Sequence, residues 1–277
     1  MGQWFARFLS KEGNQVVISG RDQIRLRETA NQLGVESASN EQAVSIADAV
    51  ILSVPVDSFE AVVKEIAHHT HAGQYIFDIT SIKTKPVDIM HKYIKKGTVL
   101  GVHPMFGPGA SGIKGQRFVL TPTNTGEQAL AEKTKTYLEG KDAKVELMKP
   151  EEHDEIMSIV LGLSHFIALV SADTLASLGK LKEAQQVSGT TYRMLLTMAE
   201  GVVSEDPDFY SSLQLNLPGL VTIEKLFKEK TGEWAGLVNE GKRQEFMDRM
   251  KVLKNTFEKE DPGFASAYNN MYRLIGE

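Results

Sequence analysis

The run TVLGVHPMFGPGASG, residues 98–112, changes abruptly from apolar to glycine-rich, and His103 stands at the change. An imidazole at the carboxyl end of a strand is suited to general base work, because its ordinary pKa lies near neutrality. The alternative is a packed core histidine, the commoner fate of a lone histidine among apolar residues. Two features favour chemistry. Pro104 and the glycine-rich HPMFGPG turn hold the residue rigidly, and DITSIK (78–83) brings Ser81 and Lys83 to the end of the preceding strand.

Two more polar residues interrupt apolar helical segments. His165 lies in LGLSHFIAL and Arg193 in TTYRMLLTMA. Each reads either as a core group satisfied by a neighbour or as a ligand for a polar substrate group. A buried arginine is costly unless paired. Asp173, Glu200 or a substrate carboxylate would serve for Arg193. His68, His69 and His71 crowd a helix end with no carboxylate beside them, so no metal site is expected. His153, in KPEEHDEI, reads as part of an acidic helix cap.

A cofactor site is suggested at the start of the chain. Residues 2–13 have helical spacing, with Trp4, Phe5, Phe8 and Leu9 on one side and Gly13 as a stop. The strand QVVIS (15–19) follows, so helix and strand form the second half of a βαβ unit. Dinucleotide-binding units place G-x-G-x-x-G between the first strand and its helix, the last glycine allowing close helix–strand packing. Gly2 stands where that last glycine belongs. The strand and the two glycines before it are not in this sequence, and the expectation is that Met1 is an internal methionine of a longer product. At the tip of the next strand, Ser19, Gly20 and Arg21 stand where a carboxylate would select NAD. A guanidinium there suits the 2′-phosphate of NADP, with NAD as the alternative. Asp22 fits a helix N-cap better than a ribose ligand. Ser53, Val54 and Pro55, after the apolar run DAVILSVP, supply a second cofactor-facing loop, although Pro55 equally suits the first turn of a helix.

The elements that must position these groups alternate. Strands are expected at 15–19, 35–39, 48–55, 75–80, 98–104, 117–122 and 143–148, separated by helices or a turn. That order gives an α/β fold with a Rossmann-type doubly wound, mostly parallel sheet. After Pro150 the pattern is helical throughout, with breaks near Gly179, Asp206-Pro207, Pro218-Gly219, Gly232, Gly241 and Asp261-Pro262. Two domains follow: 1–150, dinucleotide-binding, and 151–277, an all-α substrate and dimerisation domain. The helix 156–178 is apolar around most of its girth and needs burial, which a second copy of the chain would supply.

Bulk composition narrows the class. The chain has 277 residues, 42% apolar, a net charge of −5 and no cysteine. Disulfides and thiolate chemistry are excluded, and no basic surface is available for nucleic acid. The longest charge-free stretch, 156–172, is shorter than the ~20 residues of a membrane span. A soluble cytoplasmic protein without membrane partners is expected.

Taken together, HPMFGPGASG, TSIK before it, EEHD and LSHF after it, and TYRM followed by EDPDFY resemble the prephenate dehydrogenase family of tyrosine biosynthesis. The likeness runs from Gly2 to about residue 260. The resemblance implies a Rossmann domain joined to a helical dimerisation domain. It also implies oxidative decarboxylation of prephenate to 4-hydroxyphenylpyruvate with NAD or NADP. It makes His103 the base on the ring hydroxyl and Ser81 its orienting partner. His165 and Arg193 become substrate-binding residues, and because prephenate is a dianion that needs cationic partners, Lys83 is expected to join them. Arogenate dehydrogenase is the nearest alternative, and a non-catalytic regulatory relative with an incomplete cofactor site is a further one.

Overall fold

The computed structural model describes residues 1–276. Two compact units divide the chain. The first runs from Met1 to Met157 and includes Leu215–Leu217; the second holds the rest. The sequence boundary at 150 falls at the start of a helix that belongs to the first unit.

In the first unit the strands are β1 (Val17–Ile18), β2 (Glu36–Ser37), β3 (Ala49–Leu52), β4 (Tyr75–Asp78), β5 (Thr98–Pro104), β6 (Arg117–Thr121) and β7 (Lys144–Leu147). Its helices are α1 (Gly2–Lys11), α2 (Gln23–Leu33), α3 (Asn40–Ile46), α4 (Val56–Ile66), α5 (Thr84–Tyr93), α6 (Thr125–Glu139) and α7 (Pro150–Met157). Five strands form one sheet in the order β3-β4-β5-β6-β7, parallel except for the antiparallel β5–β6 pair. β5 is central, and all its residues but the first are buried. Continuous apolar runs such as this are what a sheet covered on both faces requires.

The sheet is in two parts. β1 and β2 pair only with each other, in parallel, and β3 pairs only with β4. In a doubly wound sheet the first strand lies between the strands corresponding to β1 and β3. No described strand pairs with the second edge of either. Both are correspondingly short, and Ala49 of β3 is exposed. Helix α1 ties the parts together. Its Gln3 side chain donates to the Thr29 hydroxyl of α2 at 2.9 Å, while Trp4 and Phe5 enter the core with Leu100, Val102, Phe118 and Leu120.

The second unit is helical, as the sequence pattern requires. A single wide turn over Ser158–Leu163 precedes α8 (Ser164–Leu178), α9 (Leu181–Gln186), α10 (Thr190–Val203) and α11 (Pro207–Asn216). α12 (Leu220–Asn239), α13 (Arg243–Glu260) and α14 (Ala267–Leu274) complete it. Gly232 is not a break: it lies inside α12, where a single glycine costs only about 1 kcal/mol relative to alanine. The apolar helix is longer than its charge-free core, because the acidic turn at 151–155 belongs to it. Pro150–Leu178 is 29 residues long with a mean hydropathy of 1.8 over its most apolar window, so by length and composition alone it is capable of crossing a membrane. Only 22% of that window is buried, and Ile159, Val160, Leu169 and Val170 are exposed. The burial expected for this helix is not reached within one chain.

Candidate active site

The HPMFGPG turn is held by aromatic packing. Phe106 stands edge-on between Trp4, at 4.9 Å, and Phe118, at 5.4 Å. The Trp4 indole N–H donates to the Ala110 carbonyl at 2.8 Å, fixing the far end of the turn to α1. Residue 103 therefore sits on a rigid strand end, opposite Val119 of β6.

His103 is 5% exposed, and its inner edge is engaged. Its Nδ1 lies 2.8 Å from Nε2 of His153, and the two rings meet edge to face at 5.0 Å. His153 Nδ1 in turn lies 2.8 Å from Oδ1 of Asp154. The sequence reading of His153 as a cap element is thus corrected. It is fully buried on the inward face of α7, and Asp154 does the capping. The Asp154 carboxylate accepts the backbone N–H of Lys83 at 2.6 Å and of Thr84 at 2.9 Å, at the start of α5. Those amides have no partner within their own helix, and the helix dipole favours an anion there.

Lys83 is also corrected. It was expected to meet substrate, but its side chain is fully buried. The ammonium forms an ion pair with Asp78 and donates to the Val102 carbonyl at 2.9 Å. Gly101 makes room for it. A Cβ there would lie 2.3 Å from Thr121 Oγ1, 2.9 Å from Val87 Cγ2 and 3.1 Å from Lys83 Cδ. Ser81, between this buried lysine and β4, is half-buried.

Burial disfavours the charged form of both imidazoles. Burial pushes His103 well below the ordinary histidine value, and His153 and the Lys83 ammonium push the same way. Burial also lowers His153, against the opposing pull of Asp154. Burial alone would raise the Asp154 carboxyl, yet its bonds from His153, Thr84 and Lys83 outweigh that and leave it below the usual carboxylate range. Burial lowers Lys83, with Asp78 partly restoring it. A neutral imidazole beside an ion pair can accept a proton; a charged one cannot.

The residues expected to hold a dinucleotide fall at two places in the first unit. Gly2 opens α1, and a Cβ on it would come within 3.3 Å of the Ser53 side chain. A side chain on residue 2 would thus crowd the loop after β3. Pro55 precedes α4 at its N-cap position rather than in its first turn. At the end of β1, Ser19 donates to the Asn40 side chain at 2.7 Å, and Gly20 and Arg21 are exposed. Asp22 is an N-cap, as expected: its carboxylate accepts from the amides of Ile24 and Arg25, both at 3.0 Å. These groups are compatible with a dinucleotide: a single glycine at a helix start, small residues at strand ends and an exposed guanidinium.

In the second unit α8 packs on α10, which carry His165 and Arg193 respectively. The His165 ring stands edge-on to Tyr210 at 4.9 Å, and its Nδ1 is buried without a hydrogen-bond partner among the described residues. Desolvation lowers its pKa. Arg193 is exposed rather than buried, and donates to the Ile275 carbonyl at 3.4 Å. Its apolar sequence neighbours turn to other faces of α10; Leu196 and Ala199 are the buried ones.

Comparison with known proteins places this arrangement. Residues 5–147 match the model of the prephenate dehydrogenase nucleotide-binding domain, and residues 149–252 that of the prephenate dehydrogenase dimerization domain. The chain belongs to the prephenate dehydrogenase family. It is 33% identical over 261 residues to the probable arogenate/prephenate dehydrogenase of Methanocaldococcus jannaschii, covering 93% of this chain and 58% of that protein. It is 24% identical to the T-protein of Haemophilus influenzae over 93% of this chain and 64% of that one. The chain therefore spans less than two thirds of either relative. Its fold matches Aquifex aeolicus prephenate dehydrogenase, crystallised with hydroxyphenyl propionate and NAD+, with a TM-score of 0.76 at 22% identity over 94% and 95% of the two chains. Synechocystis arogenate dehydrogenase matches with a TM-score of 0.70 at 18% identity, over 94% and 95%.

Sequence reasoning missed two members of the buried network, Asp78 and Asp154. Both are in the quoted motifs DITSIK and EEHD. The available signal was that EEHD contains a histidine and an acid next to each other at a helix start, a pairing that a cap does not need.

Proposed function

We propose that this member of the prephenate dehydrogenase family oxidises prephenate to 4-hydroxyphenylpyruvate and carbon dioxide, with NADP as cofactor. The observation that carries the proposal is His103 itself: a buried imidazole on a rigid strand end, tied from behind to His153.

In this reaction the ring carbon bearing the hydroxyl gives up hydride to the oxidised nicotinamide ring. The residues' part is to manage the proton and the charges. As the carbon–oxygen bond becomes a carbonyl, the hydroxyl proton passes to His103, breaking O–H and forming N–H. Ser81, at the neighbouring strand end, orients that hydroxyl. Loss of carbon dioxide leaves its electron pair to aromatise the ring, which makes the reaction effectively irreversible. Prephenate is a dianion, so cationic or donor groups must hold its carboxylates. Arg193 and His165 take that role. Lys83, enclosed by Asp78, supports the site from inside.

Gly2, Ser53, Val54 and Pro55 would hold the dinucleotide at the start of α1 and the end of β3, and Ser19, Gly20 and Arg21 its adenosine end. The preference for NADP is supported by the exposed Arg21 guanidinium and by Asp22, whose carboxylate is already taken by two helix amides. Homodimer formation through the second unit is supported by its exposed apolar residues and by the dimerization-domain match.

Absorbance of reduced nicotinamide on adding prephenate or arogenate, with NAD and NADP in parallel, tests the proposal. Reduction with prephenate and NADP is expected. A chain that binds the cofactor yet reduces it with neither substrate is not this enzyme. Faster reduction with arogenate would assign the alternative substrate, one that the name of the Methanocaldococcus relative also includes.

A further inference from the structure

We infer that His153 and Asp154 are positioning residues that fix His103 in one tautomer, with its proton on Nδ1 and a bare lone pair on Nε2. This rests on the reading of His103 as the base.

Asp154 is the fixed end. Its carboxylate already accepts the amides of Lys83 and Thr84, at 2.6 and 2.9 Å, and has no proton to donate. The nitrogen facing it at 2.8 Å, His153 Nδ1, must therefore carry the hydrogen. A neutral imidazole carries only one, so His153 Nε2 is an acceptor. His103 Nδ1 lies 2.8 Å from it and has to donate. Only Nε2 of His103 is then left to receive a proton. The reverse assignment would set a lone pair against a carboxylate in a buried site, where an unmade hydrogen bond is costly.

The network also answers the charge that catalysis creates. When Nε2 takes the substrate's proton, His103 becomes an imidazolium. Its Nδ1–H keeps its acceptor in His153, and the Asp154 carboxylate behind it offsets the new charge. The Lys83 ammonium opposes that charge, which favours passing the proton from Nε2 back to the phenolate oxygen that the loss of carbon dioxide leaves on the ring. The nitrogen orienting a catalytic histidine is held here by a second histidine, itself oriented by a helix-capping carboxylate. One side chain thus both starts α5 and sets the proton side of the base.

Two-bond proton–nitrogen correlation spectra of the full chain labelled in its histidines read the tautomers without substrate or cofactor. The native chain should show His103 and His153 both protonated at Nδ1. In Asp154→Ala the two rings should lose that single form. A native His103 protonated at Nε2, or an unchanged pattern in Asp154→Ala, overturns the inference. Kinetics supply a second test that does not depend on Asp154 variants folding. His153→Leu, which has no acceptor, should lower kcat on the order of 10²-fold with KM nearly unchanged. His153→Gln, whose carbonyl can accept from His103, should recover much of that loss. Equal losses in both variants would mean that the residue only fills space, and would overturn the assignment. If the tautomers are as stated but neither prephenate nor arogenate is turned over, the proposed function fails while the positioning inference is supported.

Discussion

Nδ1 of His103 and Nε2 of His153 lie 2.8 Å apart, both within the buried interior of the first unit. The distance ties a strand-end imidazole to the first helix after the sheet, so replacing either ring has a definite consequence. His103→Ala removes the base and leaves His153 Nε2 without a donor. Turnover should fall by about 10²–10⁴-fold, the usual worth of a positioned acid or base, with little change in KM. Steady-state kinetics on prephenate check this; near-native turnover would remove His103 from the mechanism.

Stability should depend on the same pair with a definite sign. Both imidazoles are lowered in the folded chain, chiefly by burial, and return to about 6.5 when unfolded. Between those values the unfolded chain binds more protons, so stability rises with pH. The contribution is complete above about 6.5 and is lost as pH falls through the lowered folded values. Asp154, also lowered, acts in the same sense at lower pH. The expected outcome is a Tm that declines from neutral to mildly acidic pH, with a shallower decline in His103→Gln. Thermal unfolding followed by circular dichroism across that range checks it, and an equal slope in the two proteins would contradict it.

Much of the site was legible in the sequence, and the limits have physical causes. Short apolar runs and helical patterns located each described strand and the switch to helices after Pro150, because burial imposes those patterns directly. Asp22 was readable as a cap because capping is local. Lys83 and His153 were misjudged because burial of a polar residue depends on partners distant in sequence. Lys83 meets Val102 across the sheet, and His153 meets His103 fifty residues away. No window along the chain contains those pairs. The long apolar helix was undercounted for a related reason: charged residues in its first turn hid the continuity of the backbone.

Lys83 and Gly101 form a test of packing. Lys83→Met leaves the Asp78 carboxylate buried and uncompensated, which should cost about 3–5 kcal/mol. Adding Asp78→Leu removes the stranded charge and should restore a large part of that loss. Gly101→Ala would drive a methyl group to 2.3 Å from Thr121 Oγ1. Overpacking of this kind costs typically about 1–3 kcal/mol, and Thr121→Ala should relieve part of it. Urea unfolding of the single and double variants measures these effects. A double variant no more stable than Lys83→Met alone would show that the ion pair is not what Lys83 contributes.

The open edges of β1 and β3 bear on the cofactor. Arg21 and Ser19 are at the end of a two-residue strand held on one side only, by β2, so the adenosine end of a dinucleotide would meet a weakly anchored surface. Nucleotide binding is therefore expected to be weaker than micromolar. Arg21→Ala should weaken NADP binding by about tenfold, the worth of one charge-assisted contact, and leave NAD nearly unchanged. Isothermal titration with each nucleotide checks both statements. Micromolar binding would show that the short, one-sided β1 is no weakness in the nucleotide surface. Equal weakening of NAD and NADP would remove Arg21 from the 2′-phosphate.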